Sequence, residues 1–434
     1  MTATFAFPAA ATHSRSRSGT GALRSRGAVH RGTLALVWLT FALSGLVFAE
    51  PAPVDLMLIG LVVLLPLIGL AAITPEIMGF AAVWLVVAAA GFLASPFAAD
   101  AARATLHTAV TLYLSLAAAV IAAFVIREPV AHTRLVLNAT TWAAIAATLA
   151  GLAGYFSLLP AAADLFTRFG RAAGTFKDPN VFGAFLVLPV IYCLERVVAL
   201  PLGRALWPLA GATLMTLGVL LSFSRGAWIN LALAAATFGF LTFSLAAGAA
   251  ERARIAMMAG AAAAIVAAAA VAALQIETVS DLLAERATLS QSYDTGPEGR
   301  FGGQEKALLL VAENPLGIGA LEFTQSHHHE EVHNVYLSMA LNAGWIGGGL
   351  FVVAHALTVV LGATALLGAG PLRPLLVVAL STFLATALEG IVIDTDHWRH
   401  LYLDMALVWG LSIAARARAA RSGGHALRTE GRPA

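Results

Sequence analysis

The residues able to do chemistry in this chain are few, and most stand at the edges of apolar runs. Arg168 and Arg171 precede Lys177-Asp178-Pro179-Asn180, which opens one run. Ser222-Phe223-Ser224-Arg225-Gly226 separates two others with almost no loop to carry the arginine into water. Such an arginine either snorkels to the interface or meets a ligand there. Arg300 and His333-Asn334 follow, and then Asp394-Thr395-Asp396-His397 with Arg399. Two short patterns suggest metals. His329-Glu330-Glu331-Val332-His333 is a formal H-E-x-x-H, the spacing that puts two imidazoles on one helical face for zinc with a carboxylate base between them. No well-placed third ligand accompanies it. Asp394-Thr395-Asp396 matches the D-x-D that holds a metal on a nucleotide-sugar, but it also reads as an acidic cap on span ends that pairs with nearby arginines. The spacings do not support a Ser/His/Asp triad.

The elements that must position these groups follow from composition. Of 434 residues, 59% are hydrophobic and 12% charged, with a mean hydropathy of +0.82. That charge content is about half of what a soluble domain carries, which excludes a soluble globular enzyme. Cys193 is the single cysteine and lies in an apolar run, so an intramolecular disulfide and a cysteine-cluster metal site are excluded. Apolar runs of about 17 to 25 residues suit helices that cross a hydrocarbon core, and they are too long for barrel strands. The expected fold is an all-α integral membrane protein of about twelve transmembrane helices. These are placed at 33–49, 54–73, 77–94, 104–126, 135–159, 180–199, 205–222, 226–247, 253–274, 333–366, 374–393 and 400–415. The tenth is too long for one straight crossing and holds Gly344, Gly347, Gly348 and Gly349, which predicts a short surface helix, a break and then the span.

The 26 basic residues are all arginine apart from Lys177 and Lys306, and most fall in loops that an inside N-terminus places in the cytoplasm. The positive-inside rule therefore predicts both termini cytoplasmic. Residues 1–32 read as a disordered cytoplasmic tail and 33–274 as spans one to nine. Residues 275–332 form a large periplasmic loop subdomain, 333–415 spans ten to twelve, and 416–434 a basic cytoplasmic tail against an anionic inner leaflet. The polar groups above then gather on the outer face. Inside the spans only His107, His355 and Glu389 stand out, and no internal repeat does, which argues against a secondary transporter.

Taken in order, Gly174-Thr175-Phe176-Lys177-Asp178-Pro179-Asn180, Ser224-Arg225-Gly226, Asn314-Pro315-Leu316-Gly317-Ile318-Gly319, and His333-Asn334 followed after nine residues by Gly344 and then Gly348, resemble the O-antigen ligase and O-antigen polymerase superfamily. The ligase pattern R-x3-L has Ile229 at its leucine position here. The resemblance implies a GT-C type glycosyltransferase of the bacterial inner membrane. It would take a glycan from a polyprenyl diphosphate carrier, with inversion and without a metal or other cofactor, and pass it to lipid A core or to another glycan. Partners would be that donor, the acceptor and the bilayer, with no nucleic acid. A doubly anionic leaving group calls for guanidinium forks, which suit phosphate oxygens and stay charged. Arg225 and Arg300 are the candidates, with Arg171, Lys177, Asp178 and Asn180 as substrate-binding helpers. The acceptor hydroxyl must lose its proton, and His333 is the candidate base, with Asn334 beside it. His333 could instead bind the diphosphate. The late position of the long loop, just before the His-Asn helix, favours ligase over polymerase; transporter and intramembrane metalloprotease are more remote readings.

Overall fold

The computed structural model describes residues 18–275, 296 and 299–430. They form a helical bundle: α1 (Ser18–Ala42), α2 (Pro53–Leu67), α3 (Pro75–Ala94), α4 (Ala101–Arg127), α5 (Pro129–Tyr155), the short α6 (Ala162–Phe166), α7 (Pro179–Phe185), α8 (Val187–Ala199), α9 (Leu202–Leu221), α10 (Arg225–Ser244), α11 (Ala249–Leu274), α12 (Arg300–Glu313), α13 (Val335–Leu366), α14 (Arg373–Glu389) and α15 (Arg399–Glu430). A two-stranded hairpin, β1 (Thr167–Arg168) and β2 (Arg171–Ala172), pairs Thr167 with Ala172 and Arg168 with Arg171.

Each expected span overlaps a helix, but 180–199 is divided between α7 and α8, and the helices under 33–49 and 54–73 end at Ala42 and Leu67. Among the described residues eight have the length and hydropathy of a membrane crossing: α3, α4, α5, α7 with α8, α9, α10, α13 and α14. The other four segments lie on α1, α2, α11 and α15, of which α2 is a shorter apolar helix. Residues 18–32 are helical rather than disordered, because a helix anchored by the apolar stretch beyond residue 32 propagates outward at low cost. Residues 1–17 and most of 276–298 lie outside the described residues, so the expected subdomain at 275–332 is described mainly through α12 and the loop after it.

The deepest layer is α4, α14 and α15. Phe124, Leu376, Phe383, Met405 and Leu407 are fully buried. Lipid offers no hydrophobic drive between helices, so close approach through small side chains has to hold them together. Ala117, Ala118, Ala119, Ala122 and Ala123 supply that surface on α4. Large apolar side chains on other faces stay exposed, among them Leu56, Trp142, Trp207 and Phe240, as expected of a surface that meets acyl chains. Arg399 is held structurally: its Nε and Nη2 donate to the two Asp55 oxygens at 2.6 Å each, clamping the start of α15 to α2.

The expected break in the tenth span is present at Gly344 (φ 66°, ψ −173°) inside α13. The Asn314–Gly319 loop plugs into it. Ile318 N donates to Leu341 O at 2.8 Å and Trp345 N to Pro315 O at 2.9 Å. A Cβ on Gly344 would lie 2.5 Å from Pro315 O, so both the left-handed backbone and the close approach require glycine. Two motifs far apart in sequence are thus one interlock, which fixes α12 against α13.

Candidate active site

One end of the bundle carries two adjoining cavities. The smaller, about 240 Å³, is lined by Arg171, Asn180, Phe223, Ser224, Arg225, Gly226, Arg300, Val392 and Ile393. It is a basic cleft, and the local sequence explains each part. Ser224 caps α10 by accepting from Ala227 N at 3.3 Å, which sets Arg225 at the first helical position. Gly226 lets α10 sit on α14, since a Cβ there would stand 2.6 Å from Glu389 Oε1. Glu389 in turn accepts from Asn230 Nδ2 at 2.6 Å. Arg171 is buried; its Nε donates to Ser222 O at 2.6 Å and its Nη2 to Asn180 Oδ1 at 2.7 Å. Asp178 caps α7 and accepts from Asn180 N at 2.6 Å. Arg300 opens α12.

The larger cavity, about 570 Å³, has a polar rim and an apolar floor. Lys177, Asp178, Asn180, Glu331, His333, Asp394, Asp396, His397 and His107 stand on the rim, and Leu58, Leu114, Ala118, Ile121 and Ala406 belong to the apolar lining. Asn180 and Ile393 line both cavities, so the two meet there. The residues singled out in the sequence therefore converge, but in two groups: the three arginines in the cleft, His333 and Lys177 in the larger cavity. Asp178 lines only the larger one as well.

His333 is held by its backbone. It adopts φ 55°, a strained conformation for a residue with a side chain. Its N–H donates to Asp394 Oδ2 at 2.8 Å and its carbonyl accepts from Gln304 Nε2 at 3.0 Å. Asp394 also accepts from Ser338 Oγ at 2.5 Å, and Val335 N donates to Gly390 O at 2.8 Å, so the start of α13 is tied to the end of α14. His333 Nε2 lies 3.7 Å from Glu330 Oε2. Asn334 is the N-cap of α13 and accepts from Tyr336 N and Leu337 N at 3.1 and 3.2 Å, so its side-chain oxygen serves the helix. Lys177 Nζ pairs with Glu50 Oε2 at 2.6 Å.

Residues 328–334 are not helical, and α13 begins at Val335. The H-E-x-x-H pattern therefore does not put His329 and His333 on one helical face, and the zinc-protease geometry is not formed. The D-x-D pair is also not capped by arginines. Asp396 Oδ2 lies 3.0 Å from His107 Nε2, on α4, and 4.0 Å from His397 Nε2. Glu331, Asp394 and Asp396 share the rim with these histidines, a cluster the sequence does not disclose because His107 looks like a lone histidine in an apolar run. Asp404 and Glu195, buried carboxylates within expected spans, were missed for a related reason: a single acid vanishes in the average of a hydrophobic window.

The electrostatics of the rim follow from burial and crowding. Burial, with Asp396 and Glu331 nearby, pushes the Asp394 carboxyl up to about 7. Burial and Asp396 likewise raise Glu331. Burial alone would raise Asp396, but His397 and His107 hold it well below the usual carboxylate range. Burial takes His397 down to about 4, leaving a neutral imidazole near pH 7. Glu50 is lowered, because the Lys177 hydrogen bond and the Lys177 and Arg399 charges outweigh its burial.

Residues 210–352 match the family model described as O-antigen ligase. The similarity to O-antigen ligases lies in this region. No curated protein matches the chain. The O-antigen ligase match contains Arg225, Arg300, His333, Asn334 and Gly344, so it takes in two of the three cleft arginines and the base candidate; Arg171, Lys177, Asp178, Asn180 and the 394–397 turn lie outside it. Its apolar helices make the chain a multi-pass membrane protein, similar over residues 210–352 to O-antigen ligases.

Proposed function

We infer that the chain is an O-antigen ligase-like glycosyltransferase of the bacterial inner membrane, with about twelve spans of GT-C type, both termini cytoplasmic and the two cavities on the periplasmic side. The observation that carries this reading is the junction of a three-arginine cleft with the His333 cavity at Asn180 and Ile393. In the cleft, Arg225, Arg300 and Arg171 meet the diphosphate of a polyprenyl-linked glycan. The acceptor hydroxyl approaches from the larger cavity, where His333 takes its proton as the oxygen attacks the anomeric carbon. A bond from the acceptor oxygen to that carbon forms, the bond from the carbon to the diphosphate oxygen breaks, and the configuration inverts. Charge that grows on the departing diphosphate is stabilised by guanidiniums already in place, which lowers the barrier more than ground-state binding does. Arginines supply this stabilisation without a metal on the diphosphate. Asp394 and Gln304 position the base by fixing its backbone.

The test is a gel of lipopolysaccharide and of carrier-linked glycan from a deletion strain complemented with wild type or Arg225→Ala. Long carrier-linked chains beside bare core, in the deletion and the variant, support a ligase acting on lipid A core. Single repeats would instead identify a polymerase using the same donor. Wild-type profiles for both glycans would overturn the reading.

A further inference from the structure

The rim of the larger cavity holds a second constellation that glycan transfer does not use. His107 from α4, and Asp396 and His397 from the turn before α15, each offer one donor atom, and the three atoms lie within 4.8 Å of one another. We propose that these residues bind one divalent transition-metal ion of the zinc class, in the larger cavity and away from the diphosphate cleft.

The geometry fits such an ion. Metal-donor distances of about 2.0 to 2.2 Å put tetrahedral ligands about 3.3 Å apart. Asp396 Oδ2 stands 3.0 Å from His107 Nε2 and 4.0 Å from His397 Nε2, two separations that bracket this spacing. The two imidazoles lie side by side, with ring centroids 3.9 Å apart and tilted by 31°, over a single carboxylate. Two imidazoles and a carboxylate suit a first-row transition ion better than magnesium or calcium, which prefer all-oxygen sites. The turn is braced from behind, as such sites require: Tyr402 Oη donates to Asp396 O at 2.8 Å. The Thr111 hydroxyl, one turn along α4 from His107, lies 3.2 Å from His397 Nε2, a contact that the ion would displace. The ligand side chains are 18%, 9% and 28% exposed, which gives an ion access from the cavity while one coordination position stays open. A second three-ligand group, Glu331, His333 and Asp394, stands on the same rim, so a cation here also offsets the Glu331, Asp394 and Asp396 carboxylates. The ion would clasp the 394–397 turn to α4, and with it the Asp394 that positions His333.

The experiment measures metal, so its failure is separate from that of the glycosyltransferase reading. Full-length protein in detergent, carrying His327→Ala and His329→Ala to remove exposed competing imidazoles, is stripped with EDTA and titrated with Zn²⁺ against a chromophoric chelator. Co²⁺ is then used for its visible ligand-field bands. One equivalent of Zn²⁺, at least about hundredfold weaker in His397→Ala and in His107→Gln, with loss of the tetrahedral Co²⁺ bands, is the expected result. Stoichiometric binding unchanged in both variants, or no stoichiometric binding at all, would overturn the site. If one variant fails to insert, the other decides.

Discussion

The two cavities at one end of the bundle differ in charge and in construction. The cleft is lined by three arginines, set by a Ser224 cap, a Gly226 contact on Glu389, and an Arg171 that grips Ser222 O and Asn180. The larger cavity is of mixed charge, its carboxylates and histidines standing with Arg103, Lys177 and Arg399, and His107 pairing with Asp396. Under the proposed function, stabilising the leaving group and activating the acceptor fall to separate chambers. The reacting carbon would sit where they share Asn180 and Ile393.

The largest effect that could break this division is loss of a cleft arginine. Arg225→Ala is expected to lower glycan transfer by about 10³-fold, within the range for removing a preorganised donor to developing charge, and Arg225→Lys to restore little because the planar fork is lost. The measurement is acceptor glycosylation in cells where insertion of the variant is verified; a loss under tenfold would detach the cleft from the chemistry. On the other side, His333→Gln should cost about 10²-fold, as for a general base, and a solvent-accessible imidazole supplied as buffer should recover part of it.

How legible the site was differs between the chambers in the same way. Arg225, Arg300 and His333 stand out because charged groups between apolar runs are costly there, and each expected span overlaps a helix because length and hydropathy are local properties. His107, Glu331 and Asp396 did not stand out as one group, since their meaning lies in a contact 289 residues apart. The left-handed backbone of His333, and so the role of Asp394, is likewise invisible until α13 and α14 are docked.

The interlock sharpens the comparison from outside both chambers. Gly344→Ala forces a side chain into a left-handed position 2.5 Å from Pro315 O and is expected to cost about 1 to 3 kcal/mol. Thermal unfolding in detergent should show that loss, and transfer should fall about tenfold as α12 and Arg300 lose register with His333. The smallest effect concerns pH. The Asp394 carboxyl is raised to about 7 in the fold, against an ordinary value near 4, so the folded state holds the proton more tightly. Ionising it therefore costs stability progressively as pH rises from about 4 to about 7, and the cost persists above that. Asp394→Asn, a neutral isostere, should flatten this part of the profile when unfolding temperatures are compared at pH 5 and pH 8 with chelator present. An unchanged slope would remove Asp394 as its source.

The division of labour is tested most directly by the binding of polyprenyl diphosphate to purified protein, comparing wild type, Arg225→Ala and His333→Gln. If the diphosphate belongs to the cleft, affinity falls about 10- to 100-fold in Arg225→Ala, the range for a lost charge-assisted contact, and stays at the wild-type value in His333→Gln. Equal weakening in both variants would contradict the account and make His333 a diphosphate ligand.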